Sequence, residues 1–550
     1  GTSRASFDAV EGTTYWIVFD DRWSDDPFFF LLEQTFFPLS NGEAYCEFTS
    51  VFIDSQGQPR AVVDMDNDGL DDVVSVTQSV VSINYQQPDG ELLPVYIPTD
   101  FADFPASWSL CAGDLDKNGY KDLLYGGGSG VSFMFATDDG AGFIERSGPE
   151  YVFSQRSNMV DINNDGHLDA FVCHDVAPNV FYLNDGTGQL QFIQGSLGNS
   201  CGNYGSIWVD YDDDGDVDLY VAKCGCDAND IMMRNEGNGS FSQVPGPLGL
   251  GDFHQSWSSA WGDFDNDGDM DVLVGGSDAP DHRLMRNDGA GIFTDITVGS
   301  GMDRTLMQSI EWVTHDFNND GLLDISGGGY IMINLGDFQF VPNSFIPGPG
   351  GVGDVNNDGT LDVFGIQGLQ LGVPNGNHWL RIALHGVLSN SEGIGARITV
   401  EQAGGQQIRE VRSGDGFRYM SSIMPHFGLG SDPVIERITV RWPSGVVQVV
   451  EDVVADQLVD ITEPVSTSLA SSAAPSTLVA FPNPANDLLW MNGEGINPSI
   501  PVRISDITGR TAAILTLHDG ALAIDQLVPG LYTASLLVNG VPEELRFRKE

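Results

Sequence analysis

Between Asp64 and Asp72 the chain reads DMDNDGLDD. The same pattern, D-x-[DN]-x-[DN]-G-x-x-D, returns as DLDKNGYKD from Asp114, DINNDGHLD from Asp161, DYDDDGDVD from Asp210, DFDNDGDMD from Asp263, DFNNDGLLD from Asp316 and DVNNDGTLD from Asp354. Seven ordered copies at a spacing of roughly 40–50 residues mark an internal repeat. The chemistry of the loop follows from its spacing. Its first position is Asp64, Asp114, Asp161, Asp210, Asp263, Asp316 or Asp354; its third is Asp66, Asp116, Asn163, Asp212, Asp265, Asn318 or Asn356; its fifth is Asp68, Asn118, Asp165, Asp214, Asp267, Asp320 or Asp358. When the backbone coils, these side chains converge on one hard cation. Calcium suits them, because it takes six to eight oxygen ligands in flexible geometry. Glycine at the sixth position permits the sharp turn. The seventh residue (Leu70, Tyr120, His167, Asp216, Asp269, Leu322 or Thr360) can offer its carbonyl. An Asp at the ninth (Asp72, Asp122, Asp169, Asp218, Asp271, Asp324 or Asp362) closes the cage. About seven calcium ions are therefore expected, with a mainly structural role.

An EF-hand closes its loop with Glu at position 12 and flanks it with helices. Here the flanks are short and β-like: Ala61-Val62-Val63 before the first loop, Val73-Val74-Ser75-Val76 after it. Each loop thus joins adjacent strands of a sheet. Downstream, hairpin turns recur at Asn184-Asp185-Gly186, Asn235-Glu236-Gly237 and Asn287-Asp288-Gly289, each followed by a Phe (Phe192, Phe241, Phe293). Strand, acidic loop, strand, longer loop, strand, tight hairpin, strand is one propeller blade. The expected fold is all-β: a seven-bladed β-propeller with calcium loops over 39–376, followed by two small β-sandwich-like domains. The repeats resemble the FG-GAP/VCBS repeats of integrin-type propellers, and that resemblance implies calcium between the first two strands of a blade. Little chain remains after Asp362 for a fourth strand of the last blade, so a strand from about 36–54 is expected to close the ring.

The formal charge is −54, with 78 acidic against 24 basic residues. Such a surface repels nucleic acid and anionic lipid headgroups, so both are poor partner candidates and no nucleic-acid partner is expected. Seven divalent cations would offset 14 charges and leave −54 + 14 = −40. No apolar run approaches the ~18 residues of a membrane span, so no integral membrane segment is expected. The chain opens at Gly1 without a leader, as a processed or truncated product would. Six cysteines permit disulfides in an exported protein, and Cys201 can reach Cys224 or Cys226 in the neighbouring repeat.

After the repeats the texture changes. Residues 377–464 carry Asn377-His378-Trp379-Leu380, Gly393-Ile394-Gly395-Ala396-Arg397, Gly414-Asp415-Gly416-Phe417, His426-Phe427-Gly428 and Trp442-Pro443-Ser444-Gly445. This resembles the ASPIC/UnbV domain, for which the resemblance implies no settled activity. Arg397 and His426 could bind a ligand there, with packing the plainer role. A linker of small and polar residues covers 465–478. Residues 479–550, with Phe481-Pro482-Asn483-Pro484, Val502-Arg503-Ile504 and Leu527-Val528-Pro529-Gly530, resemble the type A C-terminal sorting domain of the type IX secretion system. That resemblance implies bacterial export across the outer membrane and docking to the outer-membrane shuttle of that system. Residues 1–38 resemble the tail of an upstream β domain.

No HExxH, G-x-S-x-G or G-x-x-x-x-G-K spacing is present, so no catalytic residue is assigned and no enzyme is expected. If the propeller binds a ligand, the loops on the face away from the acidic loops are the natural platform, with Tyr204, His254, Trp257 and His282 as candidate contacts. The expected role is a secreted or cell-surface interaction and adhesion module that meets an extracellular protein or glycan. The alternative is a lectin-like propeller or the accessory part of a larger extracellular enzyme.

Overall fold

The runs that flank the first acidic loop are rich in Val, a residue suited to a pleated, buried surface. In the computed structural model Gln58–Val63 and Asp72–Val76 pair antiparallel, with Val63 opposite Asp72 across the loop. Val80–Gln86 and Leu92–Pro98 add the third and fourth strands. Every residue of the second strand is buried, the first and third are mostly buried, and the fourth is mostly half-buried or exposed. The first strand thus lies toward an axis and the fourth at the rim. The structure describes residues 44–464 except 238, 245–248, 251–254, 277–281, 290, 304–308 and 344–346, and residues 479–549 except 482–484, 493–500, 507–510, 519 and 539–540. The expected upstream tail at 1–38, the linker at 465–478 and His254 lie outside the described residues.

The described residues contain no helix. Seven four-stranded antiparallel sheets are present among them, one for each acidic loop. Their first strands are Gln58–Val63, Leu110–Gly113, Ser154–Val160, Asn203–Val209, Ser256–Gly262, Trp312–His315 and Gly350–Gly353. Each of the first six but the last touches its successor, and the first touches the seventh, as strands around one axis must. Between the sixth and seventh sheets the contact is apolar, with Phe317, Ile331 and Ile333 against Val352, Leu361 and Val363. This is a β-propeller. Its seventh sheet draws only three strands from the end of the repeat, Gly350–Gly353, Asp362–Gly365 and Gly368–Gly372. The fourth is Phe48–Val51, whose Phe48 pairs with Gly372 and Val51 with Leu369. Phe48 is buried and meets Phe317 of the sixth sheet edge to face, with ring centroids 6.3 Å apart. Cys201, just before the fourth sheet, and Cys226, between that sheet's second and third strands, form a disulfide, which resolves the two pairings open to Cys201.

Residues 378–462 form a four-stranded sheet (Gly405–Glu410, Arg397–Gln402, Arg437–Arg441, Val447–Val450) and a three-stranded one (His426–Gly430, His378–His385, Gln457–Thr462). This second domain does not fold apart from the propeller. One apolar cluster runs from Ala61, Leu110, Cys111 and Met159 of the first three sheets into Leu380, Ile398, Val440 and Trp442. Its segment 413–422 enters the axis and bonds to the first strands. Met420 exchanges backbone hydrogen bonds with Arg60 and Val62, Leu110 N–H donates to Arg418 O, and Ser422 N–H donates to Val352 O. The buried Arg156 guanidinium donates to Phe417 O and Tyr419 O at 3.1 and 3.0 Å. Both Glu311 carboxylate oxygens accept, from the Phe417 and Arg418 N–H groups, at 2.8 Å each. The last domain is a two-sheet β-sandwich, with Val479–Phe481, Leu488–Asn492 and Ala521–Ala523 facing Thr511–Thr516, Pro501–Asp506, Gly530–Val538 and Val541–Lys549 around its own apolar core.

Two substitutions test this architecture. Phe48→Ala empties a buried aromatic site at the ring closure and should cost about 3–5 kcal/mol in urea unfolding. Glu311→Ala leaves two buried N–H groups unpaired at about 1–3 kcal/mol each, and hydrogen exchange should quicken at the Phe417 and Arg418 amides.

Candidate metal centres

Each acidic loop is built by its own side chains before any ion is considered. In the first, the Asp64 carboxylate accepts the Asp68 and Gly69 N–H groups at 3.2 and 2.9 Å, and Asp68 accepts the Leu70 N–H at 2.9 Å. Asp72 is tied on both oxygens, to Met65 N–H at 2.8 Å and to Gln86 N–H of the third strand at 2.9 Å. The seventh loop repeats the scheme, with Asp354 accepting from Asp358 and Gly359, and Asp362 from Val355 and Gly372. Two residues per loop take the left-handed region. The sixth-position glycines have φ between 82° and 104°, and the fourth-position residues Asn67, Lys117, Asn164, Asp213, Asn266, Asn319 and Asn357 lie near 60°. Asn and Asp tolerate that conformation better than other side chains.

In the first, second, fourth and fifth loops three carboxylates converge: Asp64, Asp66 and Asp72; Asp114, Asp116 and Asp122; Asp210, Asp212 and Asp218; Asp263, Asp265 and Asp271, each with ligand atoms within 4.8 Å of one another. The third, sixth and seventh loops carry Asn163, Asn318 and Asn356 at the third position. There the amide nitrogen donates to Asp165, Asp320 and Asp358 at 2.9 Å. The residues fit a cation. Asp66, Asp116 and Asp212 each bury an Oδ1 that no hydrogen bond satisfies, and a buried acceptor left so is costly unless something else fills its lone pairs. Without a cation, burial drives several of the loop carboxyls toward their protonated forms. Burial first, and neighbouring carboxylates second, push Asp72, Asp218 and Asp271 up to about 9. Burial likewise raises Asp122 and Asp169 to about 8, and Asp263 and Asp316 to about 7.

Three recurrent contacts were not legible as such in the sequence. The fourth-position side chain reaches the next loop: Lys117 Nζ donates to Gly166 O, Asn266 to Gly321 O and Asn319 to Gly359 O, at 3.0, 3.1 and 2.8 Å. The hairpin asparagines tie back to the preceding sheet, with Asn184 donating to Leu115 O, Asn287 to Tyr211 O and Asn334 to Phe264 O. The eighth position is apolar in five loops but Asp71 and Lys121 in the first two, and both pair with the second domain. Arg381 meets Asp71 at 2.6 Å, and Lys121 meets Glu392 at 2.8 Å, all four side chains being buried. That break in pattern was the available signal.

The second domain therefore lies over the acidic-loop face. Arg397 and Arg441 converge on Asp210 and Asp213 of the fourth loop. His426 Nε2 bonds to Asn319 of the sixth at 2.6 Å, and Gly430 N–H donates to Asn319 O. Arg397 and His426 thus serve this contact. Of the candidate ligand contacts on the propeller, His254 lies outside the described residues and the other three are buried or half-buried. His282 is buried, its ring packs on Trp312 at 4.8 Å, and its Nδ1 accepts the Gly276 N–H. Tyr204 is half-buried with its ring 6.5 Å from Phe417, and Trp257 is half-buried in the fifth sheet's first strand.

Comparison with known proteins agrees with this division of the chain. An FG-GAP-like repeat model matches residues 64–125, 161–221 and 210–274, and an ASPIC and UnbV model matches 386–468. The chain contains FG-GAP-like repeats and an ASPIC/UnbV domain. Cartilage acidic protein 1 of Homo sapiens is 26% identical over 253 residues, covering 39% of this chain and 37% of that protein. The Xenopus tropicalis protein of the same name is 24% identical over 250 residues, 39% of this chain and 38% of that one. The chain thus matches little more than a third of the length of these relatives. Among solved structures, the rhamnogalacturonan lyase YesW aligns at 11% identity and a TM-score of 0.36, covering 59% of this chain and 75% of that one. No helix of the described residues is long and apolar enough to cross a membrane.

The raised carboxyls set a pH dependence with a definite sign. A carboxyl whose folded pKa exceeds its unfolded value near 4 binds extra protons in the native state. Its stability contribution is complete below about pH 4 and is lost as pH rises through its folded value. In chelator, the melting temperature should fall as pH climbs from about 4 to about 9, from the unfolded carboxyl value to the folded value of Asp218. A saturating divalent cation should flatten that decline, and its addition near neutral pH in weak buffer should release protons.

Proposed function

We propose that this chain is a calcium-loaded β-propeller of the extracellular space or cell surface that works by binding and adhesion, and not as an enzyme. The observation that carries the calcium reading is the set of buried Oδ1 atoms of Asp66, Asp116 and Asp212, acceptors without donors in loops of one design. Oxygen-only ligands in a flexible loop suit calcium better than a thiophilic or strictly octahedral ion. The extracellular reading draws on the FG-GAP-like repeats, the Cys201–Cys226 disulfide and the likeness to cartilage acidic protein 1. With the second domain over the acidic-loop face, the opposite face and the rim are left for an extracellular protein or glycan. A lectin-like propeller is the second reading, and the exposed rings of Phe101 and Tyr151, in connections on the side away from the acidic loops, are what it would use.

The last domain, 479–550, is in this proposal a sorting domain that hands the chain to a type IX export shuttle. Metal analysis of the purified full chain after dialysis against calcium should find several bound ions, approaching seven, and chelation should lower the melting temperature. A chain that binds none sinks the calcium reading. Truncation before Val479 should leave the propeller folded and abolish its appearance outside an exporting bacterium; unchanged export would overturn the sorting role. A glycan array and a cell-surface pull-down separate the two binding readings.

A further inference from the structure

Where the second domain meets the axis, it leaves a cavity of about 70 Å³ between the loops of the first, fifth, sixth and seventh sheets and its own strands. That is room for a handful of water-sized groups. Its lining is charged. Arg412 is matched by Glu410 at 2.8 Å and Asp415 at 3.6 Å, and Arg381 by Asp71 at 2.6 Å and Asp354 at 3.5 Å. Arg409 is different. It is buried over the Phe427 ring, 5.1 Å from its centroid, and it donates only to neutral oxygens, Ile408 O at 2.8 Å and Gln407 Oε1 at 3.1 Å. No carboxylate of the described residues forms an ion pair with it. Asp263 and Asp316 act on it from a distance, and a cation in their loops would use up that negative charge.

Several lining atoms bury without a hydrogen bond: Arg409 Nε, Arg381 Nη1, His426 Nδ1, His315 Nε2 and Asp415 Oδ1. Their chemistry divides. Arg409 and Arg381 can only donate. His426 can only accept at this atom when neutral. Asn319 gives its amide nitrogen to Gly359 O, so its Oδ1 faces His426 and takes the Nε2 proton, leaving Nδ1 a bare lone pair. Asp415 Oδ1 accepts as well. Water can fill such atoms singly, but it cannot neutralise a guanidinium that lacks a counter-ion. A buried charge is tolerated when it is paired and hydrogen-bonded.

We propose that this cavity binds a short carboxylate that carries a donor beside it, an α-hydroxy or α-amino acid of about the size of glycolate or glycine. Its carboxylate takes Arg409 Nε, and its hydroxyl or ammonium group gives a hydrogen bond to His426 Nδ1 or Asp415 Oδ1. The proposal rests in part on the cation reading, because a loop cation draws the charge of Asp263 and Asp316 away from Arg409, and a chain that binds calcium but has an indifferent cavity would overturn the cavity reading alone.

Calorimetric titration of the full chain, in calcium, with glycolate, glycine and acetate decides it. The expected result is saturable binding of glycolate or glycine, at least about tenfold tighter than acetate, and its loss in Arg409→Gln with cooperative melting retained. The two ligands distinguish a hydroxyl from an ammonium donor. Absence of saturable binding, equal binding of acetate, or binding that survives Arg409→Gln overturns it. Should Arg409→Gln fail to fold, crystals of the unaltered chain grown with glycolate give the answer. Density for the carboxylate at Arg409 supports the site, and ordered water alone there overturns it.

Discussion

Seven times over, this chain coils a loop around buried aspartates, and most of its architecture can be traced to their neutralisation. Backbone N–H groups of the loop coil around the first and ninth aspartates, as at Asp64 and Asp72. Those bonds hold the geometry but leave net charge. Where the loop faces the second domain, fixed cations supply part of the balance, through Arg381 near Asp354 and Arg441 on Asp210. Protons or divalent ions must supply the remainder. The strands, hairpins and loop turns are arranged around a charge problem that packing alone does not solve.

The same face carries a second obligation. The first strand of each sheet is an edge, and at the axis those edges expose backbone groups that need partners. Segment 413–422 provides them for several sheets at once, through Met420, Arg418 and Ser422, while Arg156 and Glu311 of the propeller bind the segment's own backbone. The boundary near Asn377 is thus a change of sequence texture and not of packing, because apolar residues from Ala61 to Trp442 share one cluster.

How much of this was readable depended on whether a feature repeats. The acidic loops and the Asn-Gly hairpins recur, so their period revealed strand pairing and blade composition. The closing strand at Phe48–Val51 could be inferred only from a deficit after Asp362, because nothing in FTSV announces its partner. The docking of the second domain was not readable at all. Its determinants, Arg381, Glu392 and Glu311, are single residues whose partners lie far away in sequence, and single residues leave no period. The exceptions Asp71 and Lys121 stood out only against an otherwise apolar eighth position. The candidate contacts Tyr204, Trp257 and His282 were chosen by residue type, and type alone does not tell an exposed ring from one packed like His282 against Trp312.

The pairing of Phe48 with Gly372 also sets a timetable for the growing polypeptide. A ribosome completes the first strand of this pair early and its neighbour only when nearly all the repeats have emerged, and the axial segment later still. Until then the nascent chain carries an open arc of sheets with both end faces bare, a shape that invites pairing with a second copy. The interval is set by elongation speed. Such a topology rewards a holdase that keeps the early sheets apart until the late strand arrives.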